Sequence, residues 1–369
     1  MKIGLIHNLS GSDSRGGAEA VVKAQAQELQ SQGHDLFMVS TKNKNKPEEI
    51  VPTSEPRSYY LNSDFYNLGR HGLLYRAVWQ IGNILSFWKY RRLRKILQTE
   101  KPDLIVTHNL MGLGYLTPIA IRRQKARHEH VLHDIQLLHP SGLMLLGQEN
   151  KINNPAAKVY QTITRGLIGS PDQIVSPSAW LLKLHQQHKF FPHSATKVSP
   201  WLSEKSLPPA AKILTNQTAK LVDTPPPTPI TNSLIKKFLF VGQIENHKGV
   251  FFLINVFKNL NKPNFLLTIV GNGTQFHSAQ AAAAPHKNIR FLGRQAAATI
   301  HEIMLNNDYL IVPSLCYENS PRVIYEAKSL GLPVIAANLG GIPEMLTASD
   351  ILFRPGDATD LISKLNNLA

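Results

Sequence analysis

The sequence predicts an α/β protein of two domains, each a doubly wound, mostly parallel sheet with helices on both faces. Short apolar runs alternate with stretches of helical periodicity along most of the chain. The length of 369 residues is too great for one ordinary core. A proline-rich segment of low periodicity separates two regular parts and predicts a linker. We therefore expect an N-terminal domain over residues 1–203, a linker over 204–234 and a C-terminal domain over 235–369.

The first unit of the N-terminal domain combines a strand, a glycine-containing loop and a helix. The strand is predicted over residues 3–7, the loop passes Gly16 and Gly17, and helical periodicity continues up to Gly33. A second strand is predicted over residues 36–40. Glycines after a first strand allow the backbone to approach a phosphate or a sugar, but their spacing differs from the G-x-G-x-x-G dinucleotide fingerprint. The loop therefore does not indicate a nicotinamide cofactor.

Two later strands of this domain end in polar side chains. One run, residues 101–109, ends in Thr107, His108 and Asn109, and another leads from Val131 into His133. Ligands of open α/β sheets collect at the carboxyl ends of strands. We therefore expect His133 to form a hydrogen bond with a hydroxyl group of a bound ligand.

The C-terminal domain repeats the same alternation. Its predicted helices include one over residues 250–260 and one that ends at Gly331. Its predicted strands cover residues 238–241, 266–270, 289–292, 309–313 and 334–337. No sequence repeat of 20 to 50 residues is visible, which argues against a solenoid.

Two glutamates, Glu318 and Glu326, flank a predicted helix start directly after the strand over residues 309–313. Ser320 is predicted to cap this helix and Pro321 to be its first residue, which leaves backbone N–H groups facing outward for an anion. A diphosphate fits there, with Glu318 reaching toward a sugar and Glu326 toward a ribose. The layout therefore suits a nucleotide-sugar pocket.

Composition excludes several classes of protein. The chain is 43% hydrophobic and 18% charged, as in globular proteins, and no apolar run reaches the length of a membrane span. Met1 leads directly into the first predicted strand, without the apolar core of a signal peptide, so we expect a cytoplasmic protein. The single cysteine, Cys316, excludes internal disulfides and a cysteine-rich zinc site.

The net charge of +15 lies mainly in the N-terminal part, because residues 1–203 carry +11 and residues 204–369 carry +4. Aromatic side chains alternate with Lys and Arg in residues 76–95, and a second basic run spans residues 122–127. These runs fit an amphipathic surface for anionic lipid head groups or a polyprenyl-phosphate acceptor, and equally an ordinary helix whose aromatic side chains enter the core. No known nucleic-acid motif accompanies the charge, so we expect no nucleic-acid partner.

Several of these stretches resemble motifs of the family-4 (group 1) retaining glycosyltransferases. Residues 16–19 resemble the family's Gly-Gly-x-Glu loop, Glu318 and Glu326 resemble its E-x7-E signature, and residues 308–346 follow its pattern throughout. The resemblance covers nearly the whole chain. It implies glycosyltransferase activity and the GT-B fold, in which two Rossmann-like domains face each other across a cleft.

The resemblance also implies residue roles. In the family, the first glutamate contacts the donor sugar and the second the ribose hydroxyls, and a histidine binds a sugar hydroxyl. Lys248 is the leading candidate for neutralising the leaving diphosphate. We therefore expect His133, Lys248 and Glu318 to be catalytic. The residues expected to bind the donor are Gly16, Gly17, Gln243, Lys248, Asn319, Ser320, Pro321, Arg322 and Glu326.

No metal site is expected. None of the eleven aspartates lies two positions from another, so the D-x-D motif of the other glycosyltransferase fold is missing. The histidine pairs His130/His133 and His185/His188 lack a third ligand at useful spacing. Cationic side chains and helix N-termini would then neutralise the diphosphate. The nucleoside-diphosphate sugar is a substrate, and we expect no cofactor.

The chain departs from the family pattern at three places. Gln243 stands where relatives usually carry arginine, which leaves Lys248 as the main phosphate cation. Arg294 and Arg322 are further candidates for that role. Residues 200–202 read Pro-Trp-Leu in place of Pro-Asn-Gly. The sequence also ends before the helices that cross back onto the first domain in relatives, which predicts weaker coupling between the domains or an incomplete chain.

These features together predict a metal-independent, retaining glycosyltransferase. It would move a hexose from a nucleoside-diphosphate sugar to a lipid-linked or polysaccharide acceptor in cell-envelope glycan synthesis, at the inner face of the membrane. Two alternatives remain open at this point. One is another GT-B enzyme, such as a sugar-nucleotide epimerase or a phosphorylase. The other is a catalytically silent protein that binds a nucleotide sugar or a membrane surface.

Overall fold

The computed structural model describes residues 1–8, 17–42, 56–63, 71–200, 235–260 and 262–368. The chain divides into two compact units, Met1–Trp201 (unit 1) and Leu202–Ala369 (unit 2). The predicted linker over residues 204–234 lies outside the described residues, as does Gly16.

Unit 1 alternates strands and helices as expected for an α/β domain. Its strands are β1 (Lys2–Ile6), β2 (Asp35–Lys42), β3 (Arg57–Asn62), β4 (Leu104–Thr107), β5 (Arg127–Val131), β6 (Gln173–Ser176) and β7 (Ala195–Val198). Its described helices are α1 (Gly17–Ser31), α2 (Leu73–Ile84), α3 (Phe87–Glu100), α4 (Thr117–Arg122), α5 (Pro155–Ile168) and α6 (Ala179–Gln187), with a 3-10 helix at Glu149–Ile152.

The strands of unit 1 form one parallel sheet in the order β3-β2-β1-β4-β5-β6-β7 within the described residues. The chain therefore winds outward from β1 in both directions, and the sheet reverses its order between β1 and β4. The central strands contribute Leu5, Val106 and Val131 to one buried cluster. Because loops diverge at such a reversal, the carboxyl ends of β1, β4 and β5 are where this unit can hold a ligand.

Unit 2 repeats the pattern. Its strands are β8 (Lys236–Val241), β9 (Phe265–Val270), β10 (Ile289–Gly293), β11 (Tyr309–Val312), β12 (Val334–Ala337) and β13 (Ile351–Phe353). Its described helices are α7 (Val250–Asn259), α8 (Phe276–Ala283), α9 (Ala297–Leu305), α10 (Arg322–Ser329) and α11 (Ala358–Asn366), with 3-10 helices at Asn246–Lys248 and Ile342–Met345.

The strands of unit 2 form a parallel sheet in the order β10-β9-β8-β11-β12-β13, which reverses between β8 and β11. Both faces of this sheet are buried. Phe238 and Phe240 of β8 enter one core cluster, while Leu239 between them enters a cluster on the other face. This explains why the strands read as continuous apolar runs in the sequence.

The fold confirms the predicted doubly wound α/β class. The predicted strands over residues 266–270, 289–292 and 309–313 agree with β9, β10 and β11 to within one residue at either end. None of the helices among the described residues has the length and apolar character needed to cross a bilayer.

Candidate active site

The centre of the candidate site in unit 2 is an ion pair between Lys248 and Glu318. Lys248 Nζ lies 3.0 Å from Glu318 Oε2, and the two side chains are 26% and 15% exposed. The Ser314 hydroxyl donates a further hydrogen bond to Glu318 Oε1. Lys248 follows β8 and Glu318 follows β11, so the pair lies where the sheet reverses its strand order. This is the position at which open α/β sheets bind ligands.

Close packing between two loops brings the pair together. Gly249 adopts a left-handed φ of +77°, and a Cβ on this residue would lie 1.8 Å from the carbonyl oxygen of Pro313. In the same segment, the Leu315 N–H donates a hydrogen bond to the carbonyl of His247 at 2.9 Å. The turn after β8 therefore lies directly against the segment after β11, and only glycine fits at the contact.

A third loop supports the backbone of Glu318. Gly340 follows β12 with a left-handed φ of +65°, and a Cβ there would lie 2.4 Å from the Glu318 carbonyl oxygen. The Gly341 N–H donates to that same oxygen at 2.8 Å. The glycine pair thus fixes the loop that carries the first glutamate of the motif.

Electrostatics keep both members of the pair charged. Burial by itself would raise the pKa of the Glu318 carboxyl, but the Lys248 ammonium and the Ser314 hydroxyl outweigh it and hold this pKa below its ordinary value. Burial would lower the pKa of Lys248, and the Glu318 carboxylate raises it above the ordinary value instead. Burial raises the pKa of the neighbouring Cys316 thiol to about 12, so this residue is a neutral, buried side chain.

The start of α10 differs from the prediction. Pro321 occupies the cap position, with φ of −61° and ψ of 118°, and Arg322 is the first helical residue. Ser320 lies one residue before the cap position, and its hydroxyl donates a hydrogen bond to the Tyr325 hydroxyl at 3.0 Å. Proline has no side-chain acceptor, so the cap residue itself makes no side-chain hydrogen bond to the first-turn amides.

Arg322 and Glu326 interact with each other within α10. Arg322 Nε lies 2.8 Å from Glu326 Oε1, at the i,i+4 spacing that aligns side chains on one helix face. Glu326 is largely buried, with 14% of its side chain exposed, whereas Arg322 is half exposed. The second glutamate of the motif is therefore held in place by a cation four residues earlier in the chain.

Gln243 lies in a loop that is packed against the loop after β9. Gly271 has a φ of +141°, and a Cβ there would lie 1.8 Å from the Gly242 carbonyl oxygen. The Ile244 N–H donates to the Asn272 carbonyl at 3.1 Å. The loop places Gln243 at the carboxyl end of β8 with its side chain exposed. Asn319, which was also predicted to contact the donor, follows Glu318 in the chain and is partly buried.

The candidate site in unit 1 is built around His133, which follows β5. His133 Nε2 lies 2.8 Å from Nδ1 of His108, which follows the adjacent strand β4. Burial, with a smaller contribution from His7, lowers the pKa of His133 to about 3, and burial holds the pKa of His108 well below its ordinary value. Both rings are therefore neutral at pH 7, and one donates to the other.

A small pocket adjoins the two histidines. Among the residues that line it are Tyr115, His133, Asp134 and Gln136. Burial raises the pKa of the Asp134 carboxyl to about 7, although it accepts a hydrogen bond of 2.7 Å from the Gln136 N–H. Neither Asp134 nor Tyr115 was among the site residues predicted from the sequence. The position of Asp134 directly after a strand-end histidine was the only local signal for it.

Gly17 and Arg294 are two further predicted residues that the structure describes. Gly17 is the first residue of α1, after β1 and the undescribed loop that contains Gly16. Arg294 follows the edge strand β10 and is exposed, two strands away from β8. Over the described residues, no group of three or more His, Cys, Asp or Glu side chains has a geometry suited to a metal ion.

Two family descriptions match the chain. The family described as Glycosyltransferase Family 4 matches residues 15–200, which is half of the chain. The chain belongs to this family of glycosyltransferases. The description "Glycosyl transferases group 1" matches residues 232–369, which contain the Lys248–Glu318 pair and α10. The predicted family and enzyme class are therefore confirmed.

Individual proteins are similar to this glycosyltransferase over most of its length. An uncharacterized 42.6 kDa protein in the cps region of Klebsiella pneumoniae is 24% identical over 349 residues, which are 94% of this chain and 87% of the relative. The apo structure of the lipopolysaccharide outer core galactosyltransferase WaaB has a TM-score of 0.64 and 17% identity, covering 100% of this chain and 90% of that one.

A further solved structure carries a nucleotide sugar. Anabaena Alr3699/HepE in complex with UDP-glucose has a TM-score of 0.64 and 19% identity to this glycosyltransferase, covering 100% of this chain and 89% of that one. Such similarity shows a shared fold, and the chain has the GT-B fold predicted from its sequence.

Proposed function

We propose that this glycosyltransferase is metal-independent and retaining, and that it moves a hexose from a nucleoside-diphosphate sugar to a lipid-linked or polysaccharide acceptor. The observation that carries the proposal is the Lys248–Glu318 pair at the strand-order reversal of unit 2. It supplies one cation for a diphosphate and one carboxylate for sugar hydroxyls at the position where this fold binds ligands.

The arrangement favours a donor that carries a diphosphate. Lys248 and Glu318 neutralise each other without ligand. When a donor binds, its phosphate oxygens replace Glu318 as the ionic partner of Lys248, and its sugar hydroxyls donate hydrogen bonds to Glu318. Each charge therefore keeps a partner, which limits the desolvation cost of binding. The complex of the similar Anabaena protein with UDP-glucose supports a nucleotide-sugar donor of this type.

Lys248 is proposed to stabilise the leaving group. As the bond between the anomeric carbon and the phosphate oxygen breaks, negative charge develops on the diphosphate. An ammonium group already held at that place lowers the barrier without further reorganisation. The N-terminus of α10 adds positive potential nearby. These groups would serve in place of a divalent metal ion.

Retention follows from a transfer on one face of the sugar. The acceptor oxygen bonds to the anomeric carbon on the face from which the phosphate departs, and the acceptor proton passes to a phosphate oxygen. The Lys248 ammonium and the Ser314 hydroxyl outweigh burial and hold the Glu318 pKa below its ordinary value, so this carboxylate is a weak base suited to binding hydroxyls. His133, neutral at pH 7, is suited to bind a sugar hydroxyl as donor or acceptor.

The acceptor is proposed to belong to the cell envelope. The relative from Klebsiella pneumoniae is named for the cps region, and the structurally similar WaaB is a lipopolysaccharide outer core galactosyltransferase. We propose that the enzyme acts in the cytoplasm, at the inner face of the membrane, and takes nucleotide sugars as donors.

Thermal shift with UDP-, GDP- and ADP-sugars tests the donor first, because ligand binding raises apparent stability by mass action. One donor should raise the melting temperature of the wild type and of an exposed control, Glu28→Gln, but not that of Glu326→Ala. Transfer is then followed as nucleoside diphosphate released in the presence of a membrane lipid extract, with and without EDTA. NMR of the product should show the anomeric configuration of the donor.

Four results would contradict the proposal. Inversion of configuration would exclude the retaining mechanism, and abolition of turnover by EDTA would exclude metal independence. Release of nucleoside diphosphate that does not require an acceptor would indicate an epimerase or a hydrolase. Donor binding without turnover on any acceptor would indicate a binding protein.

A further inference from the structure

Helix α2 presents its apolar side to solvent. Leu74, Val78, Ile81 and Leu85 recur at intervals of four, three and four residues, which places them on one stripe along the helix and at its C-terminal end. Their exposed fractions are 81%, 62%, 60% and 64%. An ordinary surface helix would turn such a stripe toward the core. Four neighbouring exposed aliphatic side chains are therefore unusual among the described residues of this chain.

The opposite side of α2 is anchored by polar contacts. Asn83, which is buried, accepts a hydrogen bond from the Gly112 N–H at 3.0 Å through Oδ1. The carbonyl of Asn83 accepts another from the Tyr115 N–H at 3.3 Å. These bonds fix the rotation of the helix about its axis. The apolar stripe faces outward because the asparagine holds the other side against the loop after β4.

The start of α3 extends the same surface. Phe87 and Trp88 follow Leu85 closely, and their exposed fractions are 52% and 81%. The buried side of α3 carries Leu93 and Leu97, so its exposed side is the opposite one. Tryptophan is enriched at membrane–water interfaces because its ring is apolar and its N–H is polar.

Basic side chains surround this apolar area. The exposed residues of α3 include Arg91, Arg92, Arg94 and Lys95, and Arg76 is exposed on α2. The Arg91 guanidinium lies over the Phe87 ring, 4.8 Å from its centroid. Residues 65–99 contain no Asp or Glu. An apolar stripe bordered by positively charged side chains is complementary to a bilayer with anionic head groups.

We propose that α2 and the exposed side of α3 form a membrane-docking surface for anionic bilayers. The aliphatic stripe enters the boundary between head groups and acyl chains, and the arginine-rich side of α3 contacts lipid phosphates. The contact is peripheral, and it is independent of the donor chemistry proposed above. Its connection to Tyr115, which lines the His133 pocket, places that pocket close to the lipid surface.

The test uses the full-length protein and vesicles of phosphatidylglycerol with phosphatidylcholine, compared with phosphatidylcholine alone. Binding is measured by flotation and by the blue shift of tryptophan emission. We expect binding to the anionic vesicles, little binding to neutral vesicles, and weakening as the salt concentration rises.

Two variants separate the apolar and the charged contributions. The triple substitution Leu74→Ser, Val78→Ser and Ile81→Ser removes exposed side chains and should weaken binding by at least about tenfold. The triple substitution Arg92→Gln, Arg94→Gln and Lys95→Gln should weaken binding to anionic vesicles on the order of a hundredfold, because each cation near the surface contributes roughly fivefold.

Matched controls lie elsewhere in unit 1 and in unit 2. Val159 and Ile163 are exposed apolar residues one turn apart on α5, so Val159→Ser with Ile163→Ser controls for the loss of exposed apolar area. Lys158→Gln, Lys183→Gln and Lys258→Gln together control for the loss of three exposed charges. Both controls should retain wild-type binding.

Several outcomes would overturn the proposal. Equal binding to neutral and anionic vesicles, no binding to either, or an equal loss in the controls would each do so. So would a dimer in analytical ultracentrifugation that the triple serine variant converts to a monomer, because the surface would then be an interface between two copies of this chain. Circular dichroism of each variant, compared with the wild type, excludes loss of the fold as the cause.

Discussion

Lys248 and Glu318 lie 3.0 Å apart although they belong to loops that follow different strands, β8 and β11. Each is the other's counter-ion in the ligand-free protein. Removing either one leaves the other as a partly buried charge without its partner, which costs more free energy than the pair itself contributes. We therefore expect donor binding to exchange the partners of two charges that are already in place.

Replacing Lys248 should affect both catalysis and stability. We expect Lys248→Ala to lower kcat by about a hundredfold or more, because the leaving diphosphate loses its cation. The free energy of unfolding should fall by about 1–3 kcal/mol, because Glu318 loses its counter-ion. Steady-state kinetics and urea unfolding measure the two effects, with the exposed Lys258→Ala of α7 as control. Normal kcat in Lys248→Ala would assign phosphate stabilisation to another residue.

Replacing Glu326 should weaken donor binding and leave the fold intact. We expect Glu326→Ala to raise the Kd of the donor by about ten- to a hundredfold, since a charged hydrogen bond contributes about 1.5–3 kcal/mol. Isothermal titration calorimetry measures this change. We expect Arg322→Gln to have a smaller effect, because Arg322 is half exposed and contacts the Glu326 carboxylate. An unchanged Kd in Glu326→Ala would remove Glu326 from the donor site.

The loop contact at Gly249 should be intolerant of any side chain. Gly249→Ala would place Cβ 1.8 Å from the Pro313 carbonyl oxygen, and the φ of +77° adds strain. We expect a loss of at least about 2 kcal/mol in the free energy of unfolding, together with loss of activity. Gly331→Ala is the matched control, because Gly331 has a φ of +70° with open space around it. This control should lose only about 1 kcal/mol. Equal losses in urea titrations followed by circular dichroism would disprove the role of the contact.

Unit 1 should lose stability in mild acid. Burial lowers the pKa of His128 and His185 to about 4 and of His133 to about 3, and holds that of His108 and His130 well below the ordinary value. As the pH falls below 6.5, the unfolded chain takes up protons that the folded chain does not. The free energy of unfolding should therefore fall from pH 6.5 toward pH 4, by about 1.4 kcal/mol per pH unit for each such proton. Asp134 acts in the opposite direction, because its raised pKa of about 7 lets the folded chain bind one proton that the unfolded chain does not, so it offsets one of the histidines.

Tryptophan fluorescence isolates this effect, because all four tryptophans lie within residues 1–201. Urea titrations at pH 7.5, 6.5, 5.5 and 4.5 give the slope of the free energy of unfolding against pH. His185→Gln should reduce it, and the exposed His193→Gln should leave it unchanged. A free energy of unfolding that is constant down to pH 4.5 would contradict the prediction.

Sequence patterns located the strands well, and one helix start less well. The predicted strand over residues 309–313 agrees with β11 to within one residue, because buried parallel strands read as short apolar runs. Ser320 was wrongly expected to cap α10. The helix begins one residue later, with Pro321 at the cap position, and the Ser320 hydroxyl donates to the Tyr325 hydroxyl. Single-residue preferences locate a helix end only to within one or two residues.

Periodicity alone could not decide which side of the amphipathic segment over residues 76–95 faces solvent. The sequence allowed either a basic surface or a helix with its aromatic residues in the core. In α2 the outward direction of the apolar stripe depends on the bonds of Asn83 to Gly112 and Tyr115. Those partners come after α3 in the sequence, about 30 residues from Asn83, which is beyond the range of any local pattern.

The sequence by itself determined the doubly wound class, the family and the identity of the motif glutamates, because alternating apolar runs and short motifs are local properties of the chain. Only the tertiary structure decided that Lys248 neutralises Glu318 and that His108 contacts His133. Such contacts join loops after different strands. They depend on strand order and on the close backbone packing of glycines such as Gly249 and Gly340, which sequence spacing does not encode.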